Sequence, residues 1–139
     1  MPTESVFFDT NIFLYALLDF QDKQKHDIAV NLLSKNPGGV ISTQVVNEVC
    51  SNLIRLAKAS EMIVEQAIHN FFSKYFVVLP SESTLKRASQ LRQNHKFSYW
   101  DSIIIASALE AKSSVLYSED MQHHLVIEKS LTIINPFIN

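Results

Sequence analysis

SVFFDTNIFLYAL, residues 5–17, runs three apolar residues, Val6, Phe7 and Phe8, straight into Asp9. Thr10 and Asn11 follow, and apolar residues then return at helical spacing. A short apolar run that meets a polar residue and turns at once into a helical pattern reads as a buried strand, 4–8, feeding a helix, 10–18. A strand aimed at a core and ending in a carboxylate needs a reason for the carboxylate.

Outward from this stretch the chain keeps alternating. Residues 24–35 read as a helix that stops at NPGG, a turn signal, and 40–42 as a short strand. From Thr43, the residues Val46, Val49, Cys50, Leu53 and Ala57 recur at spacings of a helical stripe. Residues 60–74, 82–95 and 99–111 read as helices, and 76–80, 114–118 and 131–135 as strands. Short apolar strands separated by helices predict a mainly parallel sheet of four to five strands, covered by helices on both faces. The last strand fits either a parallel place or an antiparallel edge. No repeat or linker interrupts the pattern, so one domain over 1–139 is expected.

Composition removes several functions. The chain has 139 residues, 47% of them hydrophobic and 19% charged, which suits a packed globular core. No apolar run approaches the roughly 20 residues of a membrane span. MPTES at the N-terminus lacks the basic-then-apolar order of a secretion signal. A lone cysteine, Cys50, excludes an internal disulfide and fits a reducing, cytoplasmic setting. Net charge of −2 carries no strong basic footprint. The two glycines, Gly38 and Gly39, are adjacent, so neither a phosphate-binding loop nor a dinucleotide fingerprint can be built. No G-x-S-x-G elbow or H-E-x-x-H helix occurs.

Ligands of open parallel sheets bind beyond the carboxyl ends of the strands, which is where Asp9 falls. An Asp before a helix also serves as an N-cap. Asp120 follows SVLYSE at the end of another predicted strand, where a turn role competes. Asp101 opens the apolar helix of FSYWDSIIIASAL, and with Ser98 it matches a capping box. Glu48 flanks the stripe of Val46, Val49 and Cys50, where an ordinary rim glutamate competes. Taken singly, each acid has a structural explanation. Taken together, four acids near one sheet edge would repel one another unless a cation compensates. Mg²⁺ is the hard, oxygen-seeking ion that one or two carboxylates hold alongside a substrate phosphate, and it activates water against phosphodiesters.

FFDTNIFLYAL, the Glu of TQVVNEV, SYWDSIIIASAL, VLYSEDMQHHLVI and the closing LTIINPF resemble, in this order, the PIN-domain ribonucleases. More narrowly, the pattern is similar to the VapC-type toxins of bacterial toxin–antitoxin pairs, and it spans essentially the whole chain. The resemblance implies a three-layer α/β/α PIN-like domain and a Mg²⁺- or Mn²⁺-dependent endoribonuclease. It implies Asp9, Glu48, Asp101 and Asp120 as the catalytic acids, with Asp9 and Asp101 the main metal ligands. Thr10, Asn11 and Ser118 would support them by hydrogen bonding. It further implies an RNA substrate, a homodimer and a cognate antitoxin. A degenerate PIN module that only binds a partner is the alternative. A haloacid-dehalogenase-like phosphatase fails because residue 11 is Asn rather than a second Asp. A response-regulator receiver fails because the acid nearest 41–42 is Glu48, inside a helix.

Relatives of this kind read S-E-D-M-Q-x-G, and His124 stands where that glycine would allow a tight turn. A histidine tolerated in a loop is the expectation there. His123 and His124 lack a visible third partner for a soft metal, and His26, His69 and His95 read as surface or boundary residues. Lys86, Arg87, Arg92, His95 and Lys96 form a modest basic cluster, read as a solvated face with phosphate contact as the alternative. Trp100 is expected to pack rather than to stack on a base, and Tyr99 is the other candidate for such stacking. Phe13, Phe71, Phe72 and Phe97 are expected in the core or at a dimer contact.

Overall fold

The computed structural model describes residues 5–138. The part of the N-terminal reading that rests on residues 1–4, including the first residue of the expected strand 4–8, lies outside them. Twelve elements follow one another: β1 (Val6–Phe8), α1 (Thr10–Leu17), α2 (Lys23–Lys35), β2 (Val40–Ser42), α3 (Thr43–Ala57), α4 (Glu61–Lys74), β3 (Phe76–Val78), α5 (Glu82–Asn94), α6 (Tyr99–Glu110), β4 (Val115–Tyr117), β5 (Val126–Ile127) and β6 (Leu131–Ile134). The sheet order is β3-β2-β1-β4-β6-β5. All pairings are parallel except β5 with β6.

The sheet therefore has six strands, where the sequence pattern predicted four to five. The added strand, β5, is two residues long and antiparallel at the edge. The uncertain last strand, β6, lies parallel to β4.

The connections explain the layers. The chain steps from β1 to β2 to β3 in one direction, then jumps back past β1 to β4. Right-handed crossovers put α1–α4 on one face and α5–α6 on the other. Helices α3 and α6 both pack on β2, while α5 lies against α6. The order reverses between β1 and β4, and this switch point opens a crevice at the strands' carboxyl ends.

Phe7, Phe8, Ile41, Leu116 and Ile133 are fully buried and form the middle of the core. Phe8 stacks on Tyr117 at 5.7 Å and meets Phe13 edge-on at 5.8 Å, so β1, β4 and α1 share one aromatic contact set. Gly39 is required by this packing: a Cβ there would stand 2.5 Å from the Phe8 ring. The α3 stripe is buried as its spacing predicts from Val46 to Leu53, with Val45 added, but Ala57 is exposed. Helix α6 is buried all round from Ser102 to Leu109 because it lies between the sheet and α5.

Candidate active site

Each acid owes its position to a secondary-structure junction. Asp9 leaves β1 and caps α1, its Oδ1 accepting the Thr10 amide at 2.7 Å. Its own amide donates to the Tyr117 carbonyl at 3.0 Å, which extends the β1–β4 ladder by one step. Ser118, fully buried just past β4, donates its hydroxyl to Asp9 Oδ2 at 2.9 Å. Asp9 is thus a cap, and both its oxygens are aimed. Capping leaves its charge available to the crevice.

The neighbouring residues divide the work. Thr10, 6% exposed, donates its hydroxyl to Glu48 Oε2 at 3.0 Å. The Gln44 amide, one turn before Glu48 on α3, donates to Glu48 Oε1 at 2.9 Å and to the Trp100 carbonyl at 3.3 Å. Asn11 donates to Asp120 Oδ2 at 2.9 Å. The consecutive Asp9, Thr10 and Asn11 therefore supply one acid and orient two others. Ser98 caps α6 by accepting the Asp101 amide at 3.1 Å. The Asp101 carboxylate lines a cavity of about 250 Å³ with Asp120, His95 and Lys96.

Charge couples these groups. Burial pushes the Asp9 carboxyl up from 3.8 to about 6, and the negative charges of Asp101 and Glu48 add to that. The Thr10 amide and Ser118 hydroxyl pull the other way. Burial likewise raises Asp101, with Asp120 and Glu48 adding to it and Ser98 opposing. Among the described residues no Lys, Arg or His forms an ion pair with any of the four. The neighbouring Glu119 has its own cation, Lys25, and also accepts from Tyr15 at 2.8 Å. Carboxylates that raise one another's ionisation cost in this way are, by the chemistry of their oxygens, suited to Mg²⁺ or Mn²⁺. Among the described residues, however, no three His, Cys, Asp or Glu side chains are grouped tightly enough to hold one ion. The set is an open string of acids. That suits an ion whose shell is completed largely by water and phosphate rather than by a protein cage.

Several expectations change. Trp100 does not pack: it stands 62% exposed, touching Tyr99 edge-to-face at 5.2 Å. The reason is that α6 is covered only from its second turn, so its first turn projects past the sheet. Phe13 and Phe71 are core residues and Phe97 packs against the core, but Phe72 is exposed. Much of the basic cluster is engaged elsewhere. Lys86 pairs with Glu82 and Arg87 with Glu128. Arg92 bonds the Ser102 hydroxyl at 2.6 Å and lies over the Tyr99 ring. His124 takes the conformation a glycine would, with φ 69, and its ring stacks on His123. His123 Nδ1 in turn accepts the Asn135 amide at 2.9 Å.

Gln44, Glu119, Lys25 and Tyr15 went unread in the sequence. Gln44 carried a usable signal, since an amide at i−4 from a carboxylate on a helix reaches it. The Tyr15–Glu119–Lys25 group did not, because 94 or more residues separate Glu119 from each partner.

The PIN domain family profile matches residues 6–127, a span that holds all four acids. No curated protein matches the chain. A toxin–antitoxin complex from Klebsiella pneumoniae is similar in structure with a TM-score of 0.70 at 23% identity, covering 96% of this chain and 98% of that one. The Mycobacterium tuberculosis toxin VapC20, described as cleaving the sarcin–ricin loop, gives a TM-score of 0.67 at 21% identity, covering 84% and 90%. VapBC2 from Rickettsia felis, bound to a DNA fragment from its promoter, gives 0.64 at 19% identity, covering 94% and 98%. At these identities the likeness is one of fold. Among the described residues no helix is long and apolar enough to cross a membrane.

Proposed function

The chain belongs to the PIN domain family, and from that premise we propose that it is a Mg²⁺- or Mn²⁺-dependent endoribonuclease, the toxin of a VapBC-type toxin–antitoxin pair. The observation that carries the reading is the switch-point crevice. Asp9, Glu48, Asp101 and Asp120 share one electrostatic field there, and among the described residues none is in an ion pair.

Asp9 and Asp101 are the residues to hold the cation, being the pair whose ionisation burial opposes most clearly. When bound, the ion stabilises negative charge on a phosphodiester and makes water acidic enough to attack near neutral pH. Ser118 and the Thr10 amide aim the Asp9 oxygens. Thr10 and Gln44 hold Glu48, and Asn11 holds Asp120, so both acids are oriented before substrate arrives. Such preorientation lowers the barrier by removing reorganisation from the reacting complex. Water is the nucleophile and the 3′-oxygen is the leaving group, so the products carry a 5′-phosphate and a 3′-hydroxyl.

A protein antitoxin and a second copy of the chain are the proposed partners. The antitoxin is supported by neighbours that are themselves described as toxin–antitoxin complexes. Purified, partner-free protein should cleave RNA with Mg²⁺ or Mn²⁺, and excess chelator should abolish this. Cleavage should fall by orders of magnitude in Asp101→Asn, whose capping bond is made by the backbone and survives. Undiminished cleavage in chelator, or ends carrying 2′,3′-cyclic phosphate, would overturn the mechanism. A well-folded wild type that binds partner but never cleaves would leave the binding-module reading.

A further inference from the structure

Beside Glu48 the surface opens into a groove of about 670 Å³, lined by Gln44, Asn47, Glu48, Leu85, Trp100 and Ile103 among others. Its volume falls within the usual range for small-ligand sites. Trp100 presents an aromatic ring that is 62% exposed, and Leu85 is exposed opposite. One nitrogen, Gln44 Nε2, bonds both the Glu48 carboxylate and the Trp100 carbonyl, so the groove and the acid crevice share a wall. Thr43, Gln44 and Asn47 of α3 give the groove a polar wall, and Trp100, Leu85 and Ile103 an apolar one.

We propose that this groove is a nucleobase subsite, in which an unstacked base of single-stranded RNA lies on Trp100 with its polar edge toward Gln44 and Asn47. The inference rests on the ribonuclease reading and names the residue by which that site grips its substrate. A base offers a flat apolar face and a polar edge, which match the exposed ring and the polar wall of the groove. An apolar protein side chain would fill the Trp100 side of the groove but leave the polar side chains of Gln44 and Asn47 unmatched, whereas a base edge meets both. The basic residues near the crevice mostly have other partners, so affinity must come from stacking more than from phosphate contacts.

Trp100 is the only tryptophan in the chain, so its emission reports on this groove alone. The probe is a mixed-sequence single-stranded oligoribonucleotide of about ten nucleotides, titrated in Ca²⁺ with its integrity checked on a gel. An oligomer of the same length with abasic residues serves as control. Emission should quench saturably with the first and stay unchanged with the second. Trp100→Ala should weaken binding about tenfold, and Trp100→Phe, which keeps a stacking ring, should stay within about threefold of wild type. Because the side chain is exposed, both variants should melt like wild type. Saturating binding, followed by anisotropy of a labelled oligomer, without any emission change would overturn the proposal. So would Trp100→Ala that binds RNA normally but sediments as a monomer where wild type is a dimer. Wild-type cleavage in Trp100→Ala sinks this inference and leaves the nuclease standing. A wild type that quenches but never cleaves sinks the nuclease and leaves the base subsite.

Discussion

The Ser118 hydroxyl donates to Asp9 Oδ2 at 2.9 Å across 109 residues of chain, joining the carboxyl ends of β1 and β4 where the sheet order reverses. The bond holds the Asp9 carboxyl lower than burial alone would leave it. Ser118→Ala should therefore raise it further above about 6. Hydrogen bonds to charged groups contribute about 1.5–3 kcal/mol, enough for a clear effect. The acid limb of the cleavage pH profile should move to higher pH, so that the loss of rate is larger at pH 6.5 than at pH 8.5. A uniform loss at all pH values would mean that Ser118 acts only by packing.

Asp9→Asn tests the cost of the buried charge. The folded-state carboxyl is raised, from 3.8 to about 6. Below 3.8 it is protonated in both the folded and unfolded chain, and the site costs nothing. As pH climbs from 3.8 through 6, the unfolded chain ionises first and folding loses stability, and the loss is complete above 6. In metal-free buffer the Asn variant should therefore melt above wild type at pH 7.5, with the gap closing toward pH 4. After allowance for the partly exposed carboxylate, about 1 kcal/mol is at stake, a shift of about 2–5 °C. Added Mg²⁺ should raise the wild-type melting temperature and leave the variant nearly unmoved. Equal Mg²⁺ responses would remove Asp9 from the metal site.

Asn11→Asp reverses the sense of a contact. The Asn11 amide donates to Asp120 Oδ2 at 2.9 Å. A carboxylate of the same shape has no proton to donate near neutral pH and adds a fifth acid to the string. The variant should be destabilised by about 1 kcal/mol at pH 8 without divalent ions, and the loss should shrink in high salt, which screens like-charge repulsion. Asn11→Ala loses the bond without adding charge, so its stability should vary with salt as wild type does. Thermal melts across salt concentrations on the three proteins decide between them.

How much of this was legible depends on where the signal sits. Val6–Phe8 running into Asp9 specified a buried strand and a helix cap from adjacent residues, and both are present. The first strand's carboxylate reads as functional because its partners recur at other junctions, which is also local information. The bonds that orient the acids are different. Thr10 to Glu48 spans 38 residues and Asn11 to Asp120 spans 109, and only the folded sheet brings such pairs together. Trp100 was misread because an apolar helix implies burial but does not say which turn projects beyond its neighbours. Strand β5 was invisible because it is two residues long and its loop, residues 128–130, contains no glycine to mark a short hairpin.

That turn supplies the last test. Ser130 N–H donates to the Ile127 carbonyl at 3.0 Å around Glu128 and Lys129, whose φ angles are 51 and 58. Two consecutive positive φ values between paired antiparallel strands make a type I′ turn, the form whose twist matches the strands. A non-glycine residue in the left-handed region costs about 1–2 kcal/mol, and glycine gives back about half of that in lost chain entropy. Lys129→Gly should therefore stabilise the protein by about 0.5–1 kcal/mol and raise its melting temperature by about 2–4 °C. Lys129→Val should do the opposite, because a branched Cβ crowds the left-handed backbone most. Lys129 is exposed and lies on the sheet's edge hairpin, so neither change should alter the cleavage rate at temperatures where both variants stay folded. A melting temperature unchanged in both variants would show that positions 128 and 129 are not held in this turn in solution.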